Sequence, residues 1–435
     1  MEIKKIIEKL NLNKVKYDYI RDKVINEVDG YEIQLTRTFD IPHNPKCEYV
    51  ISHGWLKRTI WCNIYDNELT PVRIKYPRYL IKNKNEGKAR TFSKGNEICV
   101  SYSKISESLI KKILIQFKKI NSTFTSVAFN CCVSDKTVER IFDRYINCPR
   151  GNLSKIICID ECHNKKQFGT EHPYCFVLSD FIKHEIIDVV KGRTKEVLKN
   201  YFINFSLIER LNVEVVIMDM WSPYRDIVKE FFPNAIISID SFHVIQQLKF
   251  CIKRIEAQVL ETLPEESKDR KFIKRWFNYI IDYKINHSKK SNEKSEKEKL
   301  SKFELKQKLR NISEKLYYCV KLLDEYKHFN ATCSYNKFDL NFKSWTLNNP
   351  IFFDECFKDI YTMFTNWYVG IKNSFRKIVV NENNRKKRLS NGLAESINSI
   401  YKKIMSVSNG VRDFERFRKR LMYYFNKNIN YLTHI

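Results

Sequence analysis

The chain has no run of about 18 apolar residues, so it offers no transmembrane helix. No Cys-x-x-Cys pair occurs among its 13 cysteines. An odd, scattered set reads as reduced thiols in a cytosolic protein, not as a disulfide framework. The segment Met1 to Leu10 carries acids and lacks the apolar core of a signal peptide. No Gly-rich phosphate loop is present, so a nucleotide cofactor is not expected. Acidic residues are also scarce: 51 Asp and Glu face 78 Lys and Arg, for a net charge of +27. That imbalance asks for a polyanionic partner, most simply nucleic acid. A ribosomal or membrane-surface protein is the plainer alternative, but 435 residues with an apolar middle are long for a ribosomal protein. What is present is enough to fold, with 43% hydrophobic and 14% aromatic residues. The length suits two or three domains.

The most informative position is Asp219, delivered by the apolar run Val213 to Met218. Ile156-Ile157-Cys158-Ile159 likewise ends in Asp160-Glu161, and Ala235 to Ile239 ends in Asp240, followed by Phe242-His243. A single Asp after a strand is an ordinary turn residue. Three of them, in a chain this basic, point to carboxylates gathered at one sheet edge. Mg²⁺ prefers such oxygen ligands, taking one or two carboxylates plus substrate phosphates.

Residues 1–20 carry helical spacing at Ile3, Ile6, Ile7 and Leu10. From about 31 to 100 short β-like runs alternate with turn residues. Residues 105–146 return to a helical period. Within them, Phe124 to Phe142 reads as helix, tight turn, helix, with Ser134 capping a second helix over about 134–146. On that helix Lys136, Thr137 and Arg140 face outward by the 3.6-residue period, as a recognition surface would. A helical hairpin that merely packs is the plain reading of the same pattern. Residues 150–245 alternate strand and helix, with strands expected at 155–160, 174–181, 184–190, 213–219 and 235–240. Helices are expected at 194–209 and 223–231. The short Asp180 to Lys183 link predicts an antiparallel hairpin, and the later strands need crossovers. Residues 243–385 are almost wholly helical in pattern, with a charged, low-complexity stretch from His287 to Lys308 that reads as a solvated segment. On the last apolar-striped helix Glu395, Asn398 and Lys402 share a face.

Taken in order, Ile159-Asp160-Glu161, Val190-Lys191-Gly192-Arg193, Asp219-Met220 with Tyr224, Phe232-Pro233-Asn234-Ala235, Asp240 to Val244, and Ser390-Asn391-Gly392 with Glu395 and Asn398 resemble one family. It is the DDE transposases of bacterial insertion sequences, of the ISL-three group. Each motif alone is weak; the ordered set is specific. The resemblance covers roughly 150–260 and 385–425, and the helix-turn-helix position agrees with it.

The resemblance implies an α/β, RNase H-like catalytic domain interrupted by a long all-helical insertion, preceded by a small β-rich module and a helix-turn-helix. The implied domains are 1–104 (a degenerate zinc-finger-like, DNA-binding module), 105–149 (helix-turn-helix), 150–260 (first part of the core), 261–384 (insertion) and 385–435 (last core helix and a basic segment). Asp160, Asp219 and Glu395 become the catalytic, metal-binding triad, holding two Mg²⁺ or Mn²⁺ ions. Two metals about 4 Å apart can activate a nucleophilic water or 3′-hydroxyl and stabilise the leaving oxygen. Asp240, His243, Asn391 and Asn398 are placed around the site or against DNA; a satisfied buried histidine is the plain alternative for His243. Lys136, Thr137 and Arg140, with Arg385, Lys386, Lys387, Arg388, Lys402 and Lys403, are expected to contact DNA. The partners implied are double-stranded DNA (terminal inverted repeats and target) and further copies of the chain on that DNA, with no membrane. The family's paired N-terminal cysteines are missing. His43, Cys47, His53 and Cys62 offer zinc-type atoms at irregular spacing, so structural zinc is not expected. The rival functions are a non-catalytic helix-turn-helix regulator and a nuclease or resolvase of the same fold.

Overall fold

The computed structural model describes residues 2–10, 12, 15–37, 41–64, 68–85, 87–93, 104–163, 168, 173–282, 301–379, 386–408 and 413–432. The chain forms two compact units, Met1–Pro149 with Ser399–Ile435, and Arg150–Asn398. Sheets and many helices make it a mixed α/β protein.

In the first unit, α1 (Glu2–Lys9) precedes β1 (Tyr17–Ile25), β2 (Val28–Leu35), β3 (Glu48–Cys62), β4 (Thr70–Asn83) and β5 (Ala89–Ser93). The strands lie in the order β1-β2-β4-β3, with β5 also on β4. Helical spacing was expected to run to residue 20, yet the helix ends at Lys9 and a strand starts at Tyr17. The reason is pairing: Asn26 and Glu27 take left-handed φ values of 51° and 65°, folding β1 back on β2 as a hairpin. One face of the sheet buries Ile33, Leu35, Ile60, Val72 and Ile74 against Ile6, Leu10 and Leu12.

Three short helices follow: α2 (Glu107–Gln116), α3 (Phe124–Cys131) and α4 (Asp135–Tyr145). Ser106, Thr123 and Ser134 cap them, each accepting a backbone N–H with its hydroxyl. Cys132, at φ 53°, makes the tight turn between α3 and α4. Phe117, Phe124 and Phe142 form one aromatic cluster beneath them. The C-terminal helix, Phe414–Phe425, joins this layer through Arg420, whose buried guanidinium donates to the carbonyls of Phe117, Lys119 and Ser122.

The second unit is built on β6 (Ile156–His163), β7 (Tyr174–Asp180) and β8 (Glu185–Lys191), then α5 (Lys195–Phe202), α6 (Leu207–Leu211), β9 (Val215–Met218), α7 (Ser222–Phe231) and β10 (Ile236–Ile239). The strand order is β10-β9-β6-β7-β8. β6, β7 and β8 pair antiparallel, whereas β9 runs parallel to β6 and β10 parallel to β9. One helix was expected over 194–209. Two form instead, because Ser206 and Glu209 make a capping box that starts a new helix.

After β10 come α8 (Ser241–Thr262), α9 (Lys268–Asp282), α10 (Lys302–Ile312), α11 (Glu314–Thr332), α12 (Phe338–Leu347) and α13 (Lys358–Asn373). Of the charged stretch His287 to Lys308, residues 287–300 lie outside the described residues, and 301–308 open α10, where Leu305 is buried. A short hairpin, β11 (Lys377–Val379) with β12 (Lys386–Arg388), leads to α14 (Gly392–Val407). A core running from Leu178 and Met218 through Leu248 to Tyr326 and Phe364 joins the sheet to these helices. At Gly370 helix α13 comes so close to β10 that an added Cβ would stand 2.8 Å from Ile239 Cγ1.

Candidate metal centre

Register brings the acids together. β6 pairs with β9 as Cys158 with Ile217, and β9 with β10 as Met218 with Ile239. Extending both ladders sets Asp160, within β6, side by side with Asp219 and Asp240, which directly follow β9 and β10. Strand alternation then sorts β6: Cys158, Asp160 and Cys162 share one face, while Ile157, Ile159 and Glu161 share the other.

Among the described residues, ligand atoms of Asp160, Asp219 and His243 lie within 4.8 Å of one another, a group that could hold a metal ion. His243 reaches the edge because α8 begins directly after β10. Its Nε2 lies 3.9 Å from Asp219 Oδ1 and 3.9 Å from Asp240 Oδ2. Both of those carboxylate oxygens are buried and have no hydrogen-bond partner. Burying acceptors unpaired is costly. Burial, then the charge of Asp219, pushes the Asp160 carboxyl up to about 8. Asp219 is raised as well, first by burial, with His243 opposing and Glu161 and Asp240 adding to the rise. Desolvated, crowded and orphaned carboxylate oxygens are a donor set that a hard cation satisfies.

Helix α14 is fastened to this edge. Asn398 Nδ2 donates to Asp160 Oδ2 at 3.1 Å, and the Asn398 carbonyl oxygen accepts from the Cys162 thiol. The backbone N–H of Asn391 donates to Asp240 Oδ1 at 3.2 Å. Glu395 lies in the first turn of α14, exposed, and is not one of the three clustered residues.

A second network lies on the opposite face of β6. Glu161 accepts from the Tyr224 hydroxyl at 2.9 Å and pairs with Arg193. The Arg193 guanidinium lies over the rings of Tyr174 at 3.7 Å and Trp221 at 4.6 Å. This tie links the ends of β6, β7 and β8 to the loop after Asp219. Glu161, Arg193 and Tyr224 stand in the family-like motifs without a role that the sequence assigns. The signal was there, because an acid adjacent to Asp160 on a strand must point to the other face.

The expected DNA-contacting residues fall in different settings. Lys136 is 87% exposed and pairs with Glu139 at 3.0 Å; Arg140 is exposed and Thr137 half-buried. Lys402 and Lys403 are exposed on α14, and Lys386 is exposed on β12. Lys387 lies over the Phe181 ring and 3.1 Å from His184 Nε2. Arg388 donates to Ser374 O at 2.7 Å and to Asn330 Oδ1 at 2.7 Å, and stacks on Phe375 at 3.8 Å. Its guanidinium is thus engaged inside the unit. Arg385 lies outside the described residues. Of the zinc-type atoms, Cys62 is a core residue of the N-terminal sheet, its thiol donating to Thr70 O at 3.6 Å. No helix among the described residues is long and apolar enough to cross a membrane.

No curated protein matches this chain. A family profile described as "Transposase", that of the ISL-three DDE transposases, matches residues 157–421. That span begins one residue into β6 and takes in Asp160, Asp219, Asp240, His243, Glu395 and Asn398. The chain therefore belongs to the ISL-three transposase family.

Proposed function

We propose that the protein cuts and joins double-stranded DNA at insertion-sequence ends by a DDE mechanism on an RNase H-like core. The observation that carries this is the convergence of Asp160, Asp219 and His243 around buried carboxylate oxygens without partners. The strand order, three antiparallel strands followed by two parallel ones, suits that core. The helices between Asp240 and Glu395 suit an insertion into it. Asp160 and Asp219 would hold Mg²⁺ or Mn²⁺, with Glu395 completing the set from the first turn of α14. Bound there, the ions supply nucleophile activation and charge stabilisation in phosphodiester exchange.

The chain's own residues do the rest. Asn398 orients Asp160 through its amide, and the Asn391 N–H holds Asp240. His243, beside Asp219 and Asp240, places a donor or a positive charge next to the two orphaned oxygens. The Glu161–Arg193–Tyr224 tie keeps the loop after Asp219 in place. The α3–α4 pair would act as a helix-turn-helix that reads the terminal repeats with Lys136, Thr137 and Arg140. Lys386, Lys387, Lys402, Lys403 and Arg385 would offer charge to DNA around Glu395, whereas Arg388, tied to Ser374 and Asn330, would hold the hairpin in place; several copies would assemble on the two ends.

The test is nicking of a duplex carrying the element's ends, with Mg²⁺ or Mn²⁺ added. Asp160→Asn, Asp219→Asn and Glu395→Gln should each abolish nicking and leave end binding intact. Cleavage retained by Asp219→Asn would sink the assignment.

A further inference from the structure

Helix α13 carries an apolar ridge on its outer side. Tyr361, Thr365 and Val369 follow one another at i, i+4 and i+8, so they line one stripe of the helix. Tyr361 is 51% and Val369 69% exposed. Phe353, whose ring centroid lies 6.3 Å from that of Tyr361, is 58% exposed. The inner side of the same helix faces the core, with Ile360, Phe364 and Ile371 buried. Large apolar side chains left outside in one patch mark a contact surface.

The ridge stands between two hollows. One, of about 270 Å³, is walled by Phe342, Phe352, Tyr361 and Phe364. The other, of about 460 Å³, lies toward α7 and β10 and is walled by Phe232, Pro233, Ile237, Trp367 and Val369. Thr365 and Tyr368 line both and so divide them. The smaller hollow therefore opens at the Tyr361 end of the ridge and the larger at the Val369 end. A helix row beside hollows is what ridges-into-grooves packing needs. Rotated by half a turn about an axis through Thr365, a second α13 would bring its Tyr361 to the larger hollow and its Val369 to the smaller one. The bulky side chain meets the large space, and the small side chain the small one. A surface that fits itself in this way meets the requirement of a twofold contact.

Charge selects the same surface. The chain carries +27, and like charge of that size holds copies apart. Residues 338–372 depart from it, with four acids against three lysines and no arginine. Glu355, paired with the exposed Lys358 at 3.2 Å, follows Phe353 at the Tyr361 end of the ridge. Arg225 and Lys229 of α7 line the larger hollow at the other end. The half-turn that seats Tyr361 also brings Glu355 of one copy toward Arg225 and Lys229 of the other.

We propose that two copies of the chain pack their α13 helices against each other, antiparallel, about a twofold axis at Thr365, and do so without DNA. The inference rests on the proposed function only in giving the assembly of copies a surface; the chemistry of the acidic edge does not enter it.

Light scattering of the full chain, free of DNA, tests this. The expected mass is that of a dimer, twice 52.3 kDa. Thr365 meets its own copy on the axis, so Thr365→Arg sets like charges face to face and should weaken association on the order of 100-fold. Thr365→Asp should do the same. An equimolar mixture of the two variants should dimerise again, because Arg then faces Asp, and that recovery also shows that both fold. A parent that stays monomeric at every concentration reached overturns the proposal and leaves the stripe to another occupant. A Thr365→Arg protein that dimerises like the parent overturns it too, as does a mixture that stays monomeric while both variants melt as the parent does. If the Thr365 variants melt early, Val369→Lys takes their place, and undiminished association of that protein overturns the surface. Nicking separates the two readings: a failed interface leaves nicking of a single end in place, whereas a failed transposase reading leaves the dimer in place.

Discussion

Gly370 is the position where a single methyl group tests the packing behind the acidic edge. In Gly370→Ala the new Cβ would meet Ile239 Cγ1 at 2.8 Å, Ile239 Cδ1 at 3.5 Å and Ile237 Cγ2 at 3.7 Å. Ile239 is fully buried and β-branched, so its Cγ1 cannot swing aside without moving the strand. Overpacking of this kind costs roughly 1–3 kcal/mol. Alanine recovers about 0.5–1 kcal/mol over glycine within a helix. The net is a loss of about 1–2 kcal/mol, or a fall in melting temperature of roughly 2–8 °C at about 2–4 °C per kcal/mol. Because Ile239 precedes Asp240, cation-dependent nicking should fall as well. Gly392→Ala is the control, since its Cβ meets nothing within 4 Å. Calorimetry of both variants decides. A Gly370→Ala protein melting at or above the parent would refute the close approach of α13 to β10.

Four further outcomes are expected. Asn398→Ala removes the amide on Asp160, a charge-assisted bond worth about 1.5–3 kcal/mol; the nicking rate at saturating cation should drop roughly 10- to 100-fold, and an unchanged rate would remove Asn398 from the site. Arg420→Met leaves three carbonyls without their buried donor and should cost about 2–4 kcal/mol, read as an earlier urea transition; a shift under half of that would show the carbonyls finding other partners. At Glu32 burial opposes ionisation, but hydrogen bonds from Lys23, Lys75 and Arg21 outweigh it and hold the carboxyl at about 2 against 4.5 when unfolded. The depressed folded value means stabilisation is full above about pH 4.5 and fades as pH falls toward 2, so the stability gap between the parent and Glu32→Gln should close across that window; a gap independent of pH would count against the ion cluster. Lys136→Ala with Arg140→Ala should lower the salt slope of element-end binding by about 1.8; unchanged affinity would move end recognition off α4.

Much of the sheet in the second unit was legible in the sequence, for a physical reason. β6 and β9 are buried on both faces, so each appears as an apolar run, and β10 differs only by Ser238; each of the three runs stops at an Asp. The Asp180 to Lys183 link was too short for anything but a hairpin, and β7 and β8 form it. The N-terminal strand β1 was hidden because Tyr17 to Ile25 alternates only weakly and gains its order from β2 and the Asn26–Glu27 turn. The split between α5 and α6 turned on a cap at Ser206 within an otherwise helical period. In the site, carboxylates at strand ends could be read, but partnerships across long separations could not. Nothing local tells that Asn398 meets both Asp160 and Cys162, or that the Asn391 N–H meets Asp240. The cation cluster on Glu32 was equally silent, because its members come from three strands whose pairing no short pattern encodes.

The bond between Asn398 and Asp160 spans 238 positions of chain. A ribosome adding about 5–20 residues per second needs roughly 12–50 s to travel from one to the other. Throughout that interval the strands bearing Asp160 and Asp219 exist without the Asn398 amide and without the Asn391 N–H. The acidic edge therefore waits for α14, and the three-helix layer waits longer, for Arg420 of the C-terminal helix. Closing so long a loop is also slow in folding, since its entropy is lost before the contact is gained. The protein thus has a built-in order of assembly, in which the strands bearing Asp160, Asp219 and Asp240 are synthesised before the helix that ties them together.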